Sequence, residues 1–135
     1  MEISNKVVLV VDDMKLTRVK LRQICNEIGI TKIYEAADGI EALKVLANVG
    51  VHLILTDWMM PRMAGIDLLR ELRKMDRFAQ TPVIFITAES DKNAILMSVV
   101  SGVTDYIVKP FSDDIVKQKI MTSLKEAEPK EKPKA

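Results

Sequence analysis

The stretch VVLVVDD, residues Val7 to Asp13, sets five apolar residues in an unbroken run against two adjacent carboxylates. A strand exposed on one side alternates apolar and polar residues, so a short continuous run reads as a strand covered on both faces. VIFI, Val83 to Ile86, repeats that pattern and continues into Thr87. Shorter Val/Ile-rich runs stand at Lys32–Glu35, His52–Thr56 and Asp105–Val108. Doubly covered strands belong to parallel sheets, whose connections need helices.

Helical spacing fills the intervals. Leu21, Ile24, Cys25 and Ile28 fall at i, i+3, i+4, i+7, and Gly29 supplies a stop. Ile40, Leu43 and Ala47 precede Gly50, and Leu68, Leu69, Leu72 and Met75 form a third stripe. Ile95, Leu96, Val99 and Val100 form a fourth before Gly102, and Val116, Ile120 and Leu124 a fifth. Each stripe is expected to face the sheet. Five β-then-α units read as one open, doubly wound α/β domain over residues 1–125. The remaining stretch, EAEPKEKPKA at 126–135, is charged and Pro-containing, and is expected to be a disordered tail. No second or output domain is expected.

Composition narrows the classes. At 135 residues the chain suffices for one sizeable core, and 29% charged residues with a net charge of +1 leave no basic footprint for nucleic acid. No run approaches the roughly 20 apolar residues of a membrane span, and the N-terminus lacks the longer apolar core of an export signal. A cytoplasmic protein without membrane insertion is the expectation. Cys25 is the sole cysteine, so no internal disulfide forms, and it reads as a small core hydrophobe.

In open parallel sheets, ligands bind beyond the carboxyl ends of the strands. Here the first run ends in Asp12-Asp13, the third is followed by Asp57, the fourth ends in Thr87, and the fifth leads into Lys109-Pro110. Each residue alone has a plainer use: Asp13 as cap of a helix starting near Met14, Asp57 as a turn cap, Thr87 as a strand end, Lys109 as surface charge. Together they demand more. Two carboxylates ~4 Å apart repel by about 4 kcal/mol at an effective dielectric near 20, so three need a cation among them. Hard oxygen ligands beside an open position suit Mg²⁺, with Lys109 and Thr87 placed to meet an anion such as a phosphoryl group. Neither G-x-x-x-x-G-K-[ST] nor G-x-G-x-x-G occurs, which argues against ATP held in a P-loop.

The segments VLVVDD, LTDWMMPRMAGIDLL, VIFITAES and DYIVKPF resemble, in this order, the receiver domain of bacterial and archaeal response regulators. The resemblance covers residues 5 to about 125, and DW-x-MP, TAE and Y-x-VKPF are most similar to its chemotaxis regulators. It implies a flavodoxin-like fold: a five-stranded parallel sheet in the order 2-1-3-4-5, flanked by five helices. It implies two-component signalling in which Asp57 attacks a phosphohistidine on a histidine kinase. Asp12, Asp13, Asp57 and the backbone carbonyl of Met59 would hold Mg²⁺, and Lys109 would pair with the phosphoryl oxygens. Thr87 would swing toward them and Tyr106 would follow inward, the Lys109–Pro110 bond being cis in the family. Lys92, Tyr106, Val108 and Lys119 fall on the face that meets the target, for which the resemblance favours the flagellar motor switch. A monomer is implied, and no enzyme beyond its own phosphorylation and dephosphorylation.

Two positions depart from the family pattern. Met59 stands where chemotaxis regulators often carry Asn, and its side chain cannot orient a hydrolytic water, so slower phosphate loss is expected. Ala64 replaces a frequent Asp, at the expected expense of a turn or cap interaction. Other readings stay open: a relay intermediate passing phosphate to a histidine phosphotransfer protein, a scaffold that takes no phosphate, or an aspartyl-nucleophile phosphohydrolase of the haloacid-dehalogenase kind. The last wants D-x-D-x-[TV] after the first strand, where this chain has VDDMKL. His52, the sole histidine, reads as structural, and Trp58 as packing beside the site.

Overall fold

The computed structural model describes residues 2–128. A 3-10 turn, Ile3–Asn5, leads into β1 (Val7–Val11), α1 (Lys15–Ile28), β2 (Lys32–Ala36), α2 (Gly39–Leu46) and β3 (Leu53–Thr56). Then come α3 (Gly65–Arg73), β4 (Val83–Thr87), α4 (Lys92–Val100), β5 (Asp105–Val108) and α5 (Asp113–Glu126). All strands are parallel in the order β2-β1-β3-β4-β5, the expected topology. The register sets Val11 beside both Ala36 and Thr56, and Thr87 beside Val108. The strand ends therefore share one rim.

The pleat explains the unbroken run in β1. Val8 and Val10 enter a core with Leu21, Ile24 and Cys25 of α1 and Val116, Ile120 and Leu124 of α5. Leu9 and Val11 enter another, with Ala42 and Leu46 of α2 and Leu68, Leu69 and Leu72 of α3. Successive side chains alternate between two dry layers, so neither parity tolerates a polar residue. Each fully buried Val or Leu contributes roughly 1.5–3 kcal/mol.

Arg73 closes α3 by an unusual route. Its Nε donates to the Gly102 carbonyl at 3.0 Å, and Nη1 to the Phe78 and Thr81 carbonyls at 2.8 and 2.7 Å. One side chain thus fastens the loop before β4 and the turn after α4.

Several expectations need correction. On α2 the buried face is Gly39, Ala42 and Leu46, whereas Ala47 is exposed. The Gly39 N–H donates to the Met63 carbonyl, which fixes the helix phase independently of its apolar spacing. On α4 the buried residues are Ala94 and Ser98, while Leu96, Val99 and Val100 are 61%, 60% and 79% exposed. Small residues point inward there because the Trp58 indole reaches Ser98, its Nε1 donating to Oγ at 3.1 Å. Met75 lies past the end of α3 and is partly exposed. His52 precedes β3, its ring Nδ1 accepting from the Val7 N–H at 3.0 Å. Helix α5 reaches Glu126, the first residue of the expected tail, and residues 129–135 lie outside those described.

Candidate functional site

The ends of β1, β3 and β5 bring Asp12, Asp13, Asp57 and Lys109 together. One carboxylate oxygen from each of the three aspartates lies within 4.8 Å of the others. Asp12 is 1% exposed; its Oδ1 accepts from the Met14 N–H at 2.9 Å and its Oδ2 from Lys109 Nζ at 2.9 Å. Asp57, half-buried, accepts from the Met59 N–H at 3.2 Å on Oδ1 and from Lys109 Nζ at 3.1 Å on Oδ2. Asp13 stands exposed beside them, and α1 begins after Met14 without a side-chain cap, so Asp13 is not that cap.

The electrostatics follow from this crowding. Burial drives the Asp12 carboxyl above the usual carboxylate range, and the bonds from Met14 and Lys109 do not fully offset it. Burial also works against the Lys109 ammonium, but Asp12 and then Asp57 outweigh that and hold it above the ordinary lysine value. Three carboxylates and one ammonium leave a net charge of −2. Hard oxygen donors with that charge and an exposed third ligand fit a small divalent cation that keeps part of its water shell.

Thr87 is buried at the end of β4, its Oγ1 accepting from the Glu89 N–H at 3.2 Å. A hydroxyl that accepts retains its own proton to donate. Tyr106 of β5 donates its hydroxyl to the Glu89 carbonyl at 2.6 Å and meets the Phe85 ring edge-on at 5.9 Å. Burial, then the charges of Glu89 and Asp57, push its phenol up to about 12. Lys92 begins α4, Val108 is 39% exposed on β5, and Lys119 of α5 pairs with Asp105 at 2.9 Å. These last residues sit on α4, β5 and α5, and none of them is among the three carboxylates of the acidic cluster. The Met59 side chain is exposed, and the Lys109–Pro110 bond is cis.

Sequence reasoning missed several supports. A Cβ built on Gly65 would run into the Asp57 carbonyl, so the start of α3 packs directly on the backbone of the candidate nucleophile. Arg18 Nη1 donates to the Asp12 carbonyl at 2.7 Å, and its Nε to Glu35, which Arg22 also engages at 2.7 Å. Ala64 occupies the cap position of α3 with no side-chain bond, consistent with the missing Asp. Asp38 caps α2 and binds Arg62; only the Asp38-Gly39 pair before an apolar run signalled it. An apolar hollow of about 430 Å³ among Leu43, Leu46, Met75 and Phe78 shares no residue with the acidic rim.

The sheet order and the acidic rim define a receiver-type module, and the comparisons agree. The response regulator receiver domain model matches residues 8–121, and the chain belongs to that family. It is similar to the chemotaxis protein CheY of Pseudomonas aeruginosa, 39% identical over 113 residues, spanning 84% of this chain and 91% of that protein. Chemotaxis protein CheY1 of Helicobacter pylori is 38% identical over 83% of this chain and 91% of its own length. Among solved structures, a CheY-like receiver domain protein from Methanospirillum hungatei superimposes with a TM-score of 0.84 at 28% identity, covering 90% of this chain and 95% of that one. The chain is thus a CheY-like receiver domain of two-component signalling. Among the described residues no helix is long and apolar enough to cross a membrane.

Proposed function

We propose that Asp57 accepts a phosphoryl group from a histidine kinase and that the modified protein changes its affinity for a downstream target. The observation that carries this reading is the single ammonium of Lys109 shared between Asp12 and Asp57, within a cluster of net charge −2. An Asp57 oxygen attacks the phosphorus of a phosphohistidine, the P–N bond breaks, and the imidazole leaves with a proton. Asp12, Asp13 and Asp57, with the Met59 carbonyl, would hold Mg²⁺. When bound, it offsets the charge of the transferring oxygens. Lys109 is released from Asp57 to pair with the phosphoryl group, and Thr87 turns its hydroxyl toward it. The added charge of about −1.5 to −2 then biases two pre-existing states.

The chain turns over no separate substrate on this reading and acts in the cytoplasm as a monomer. Its target surface comprises Lys92, Tyr106, Val108 and Lys119 with the exposed apolar side of α4, and a flagellar motor-switch protein is the target that the resemblance to chemotaxis regulators favours. Incubation with acetyl phosphate and Mg²⁺ should label the native protein and leave Asp57→Asn unlabelled by intact mass. Equal labelling of the two refutes the assignment. Beryllofluoride should likewise raise the affinity of native protein, and not of Asp57→Asn, for a motor-switch protein; no change in the native protein removes that target.

A further inference from the structure

The segment linking β3 to α3 carries Asp57 and Met59, and its far end is fastened to a part of the molecule that the chemistry above does not use. Arg62 has φ of 64°, a conformation uncommon for any residue with a side chain. Its Nε donates to Asp38 Oδ2 at 2.7 Å, and its second nitrogen lies 3.7 Å from Glu41. Asp38 is only 3% exposed although it is a carboxylate, and its other oxygen accepts from the Glu41 N–H at 2.9 Å to cap α2. One residue on, the Gly39 N–H donates to the Met63 carbonyl at 3.1 Å. Two residues back, the Ala36 carbonyl accepts from the Asp12 N–H at 3.1 Å. The end of β2 and the turn after it therefore touch both acidic loops: Ala36 meets Asp12, and Asp38 and Gly39 meet Arg62 and Met63.

We infer that Arg62 and Asp38 form a positioning clasp that sets the spacing between the Asp12–Asp13 pair and the Asp57–Met59 loop, and so sets divalent-cation affinity. This rests on the metal-assisted reading of the acidic rim. A left-handed backbone at a residue with a side chain is strained and persists where surrounding contacts fix it; here those contacts are the Arg62–Asp38 pair and the Gly39–Met63 bond. Two other roles have different signatures. A purely structural pair would support folding and leave the rim unchanged. A purely electrostatic one would act by adding positive charge near the rim, which weakens cation binding.

The test titrates Mg²⁺ into native protein and into Arg62→Gln, Arg62→Lys and Arg62→Gly. It reads Trp58, the sole tryptophan, by fluorescence and the heat by calorimetry. Each variant's thermal midpoint is measured without metal. Loss of a partly exposed ion pair should raise the Mg²⁺ dissociation constant about two- to fivefold in all three variants. Arg62→Lys weakens despite keeping the charge, because it lacks Nε in the fixed plane that meets Asp38. Unchanged affinities with lowered midpoints overturn the clasp in favour of a structural pair. Tighter binding by Arg62→Gln, with Arg62→Lys unchanged, overturns it in favour of charge alone. A native protein with no Mg²⁺ response refutes the metal reading itself, a result distinct from either.

Discussion

Replacing Lys109 by Met isolates the electrostatics of the rim. The ammonium lies 2.9 Å from Asp12 and 3.1 Å from Asp57, and its side chain is 21% exposed. At an effective dielectric near 20 each pair attracts by about 5–6 kcal/mol before desolvation. Taking the ammonium out of water returns several kcal/mol of that, and removing one member of a buried pair costs roughly 3–5 kcal/mol net. The residual exposure of Lys109 favours the lower figure, about 3 kcal/mol. In urea this is a midpoint drop of roughly 1.5 M at an unchanged slope near 2 kcal/mol per M. Saturating Mg²⁺ should then shrink the difference between native and Lys109→Met, because the variant offers a net −3 site that binds the cation more tightly. Urea melts of both proteins, with and without Mg²⁺, measure the four stabilities. A gap under about 1 kcal/mol without metal, or a gap that Mg²⁺ leaves unchanged, would show that these carboxylates do not depend on a counter-charge.

Gly65→Ala should destabilise by about 3 kcal/mol or more and abolish acetyl-phosphate labelling, since its Cβ meets the Asp57 carbonyl with nowhere to move; near-native melting and labelling contradict the packing argument. Ser98→Ala leaves the Trp58 Nε1–H without its partner and should cost about 1–2 kcal/mol while shifting tryptophan emission; an unaltered spectrum means the indole does not depend on that bond. Burial, with Lys6 and Lys32 nearby, holds the His52 imidazole below its ordinary value. The unfolded chain therefore binds that proton more readily. The stability it contributes is present above the unfolded value of about 6.5 and is lost as pH falls through the folded one. Thermal melts at pH 7 and 5.5 should differ more for native protein than for His52→Gln, and identical differences discard the Val7–His52 bond as a pH-dependent contact.

The fold was legible because two short runs, VVLVV and VIFI, carry no polar residue at either parity and alternate with helical stripes, as doubly covered strands of a parallel sheet do. The acidic cluster was legible because strand-end position brings Asp12, Asp13, Asp57 and Lys109 to one edge whatever the details of packing. The burial of α4 was not. Periodicity locates apolar positions and says nothing of what covers them, so Leu96, Val99 and Val100 read as core while Ala94 and Ser98 fill that place. Arg18 and Arg73 escaped notice for another reason. Their partners include backbone carbonyls, which every residue owns and no sequence pattern marks. Gly65 is similar, since what excludes a side chain there is the carbonyl of Asp57, eight positions earlier.

The outward side of α4 has a thermodynamic consequence. Leu96, Met97, Val99 and Val100 keep apolar surface in water that a folded domain of this size has no internal need to expose. Whatever closes over that helix removes the surface from water and so binds with a negative heat-capacity change, its apolar driving force gaining on warming from the cold. Contacts through Lys92 or Lys119 behave otherwise, since added salt screens them and temperature does so far less. Calorimetry across temperature and a salt series would therefore separate the apolar from the charged contributions at the proposed target surface.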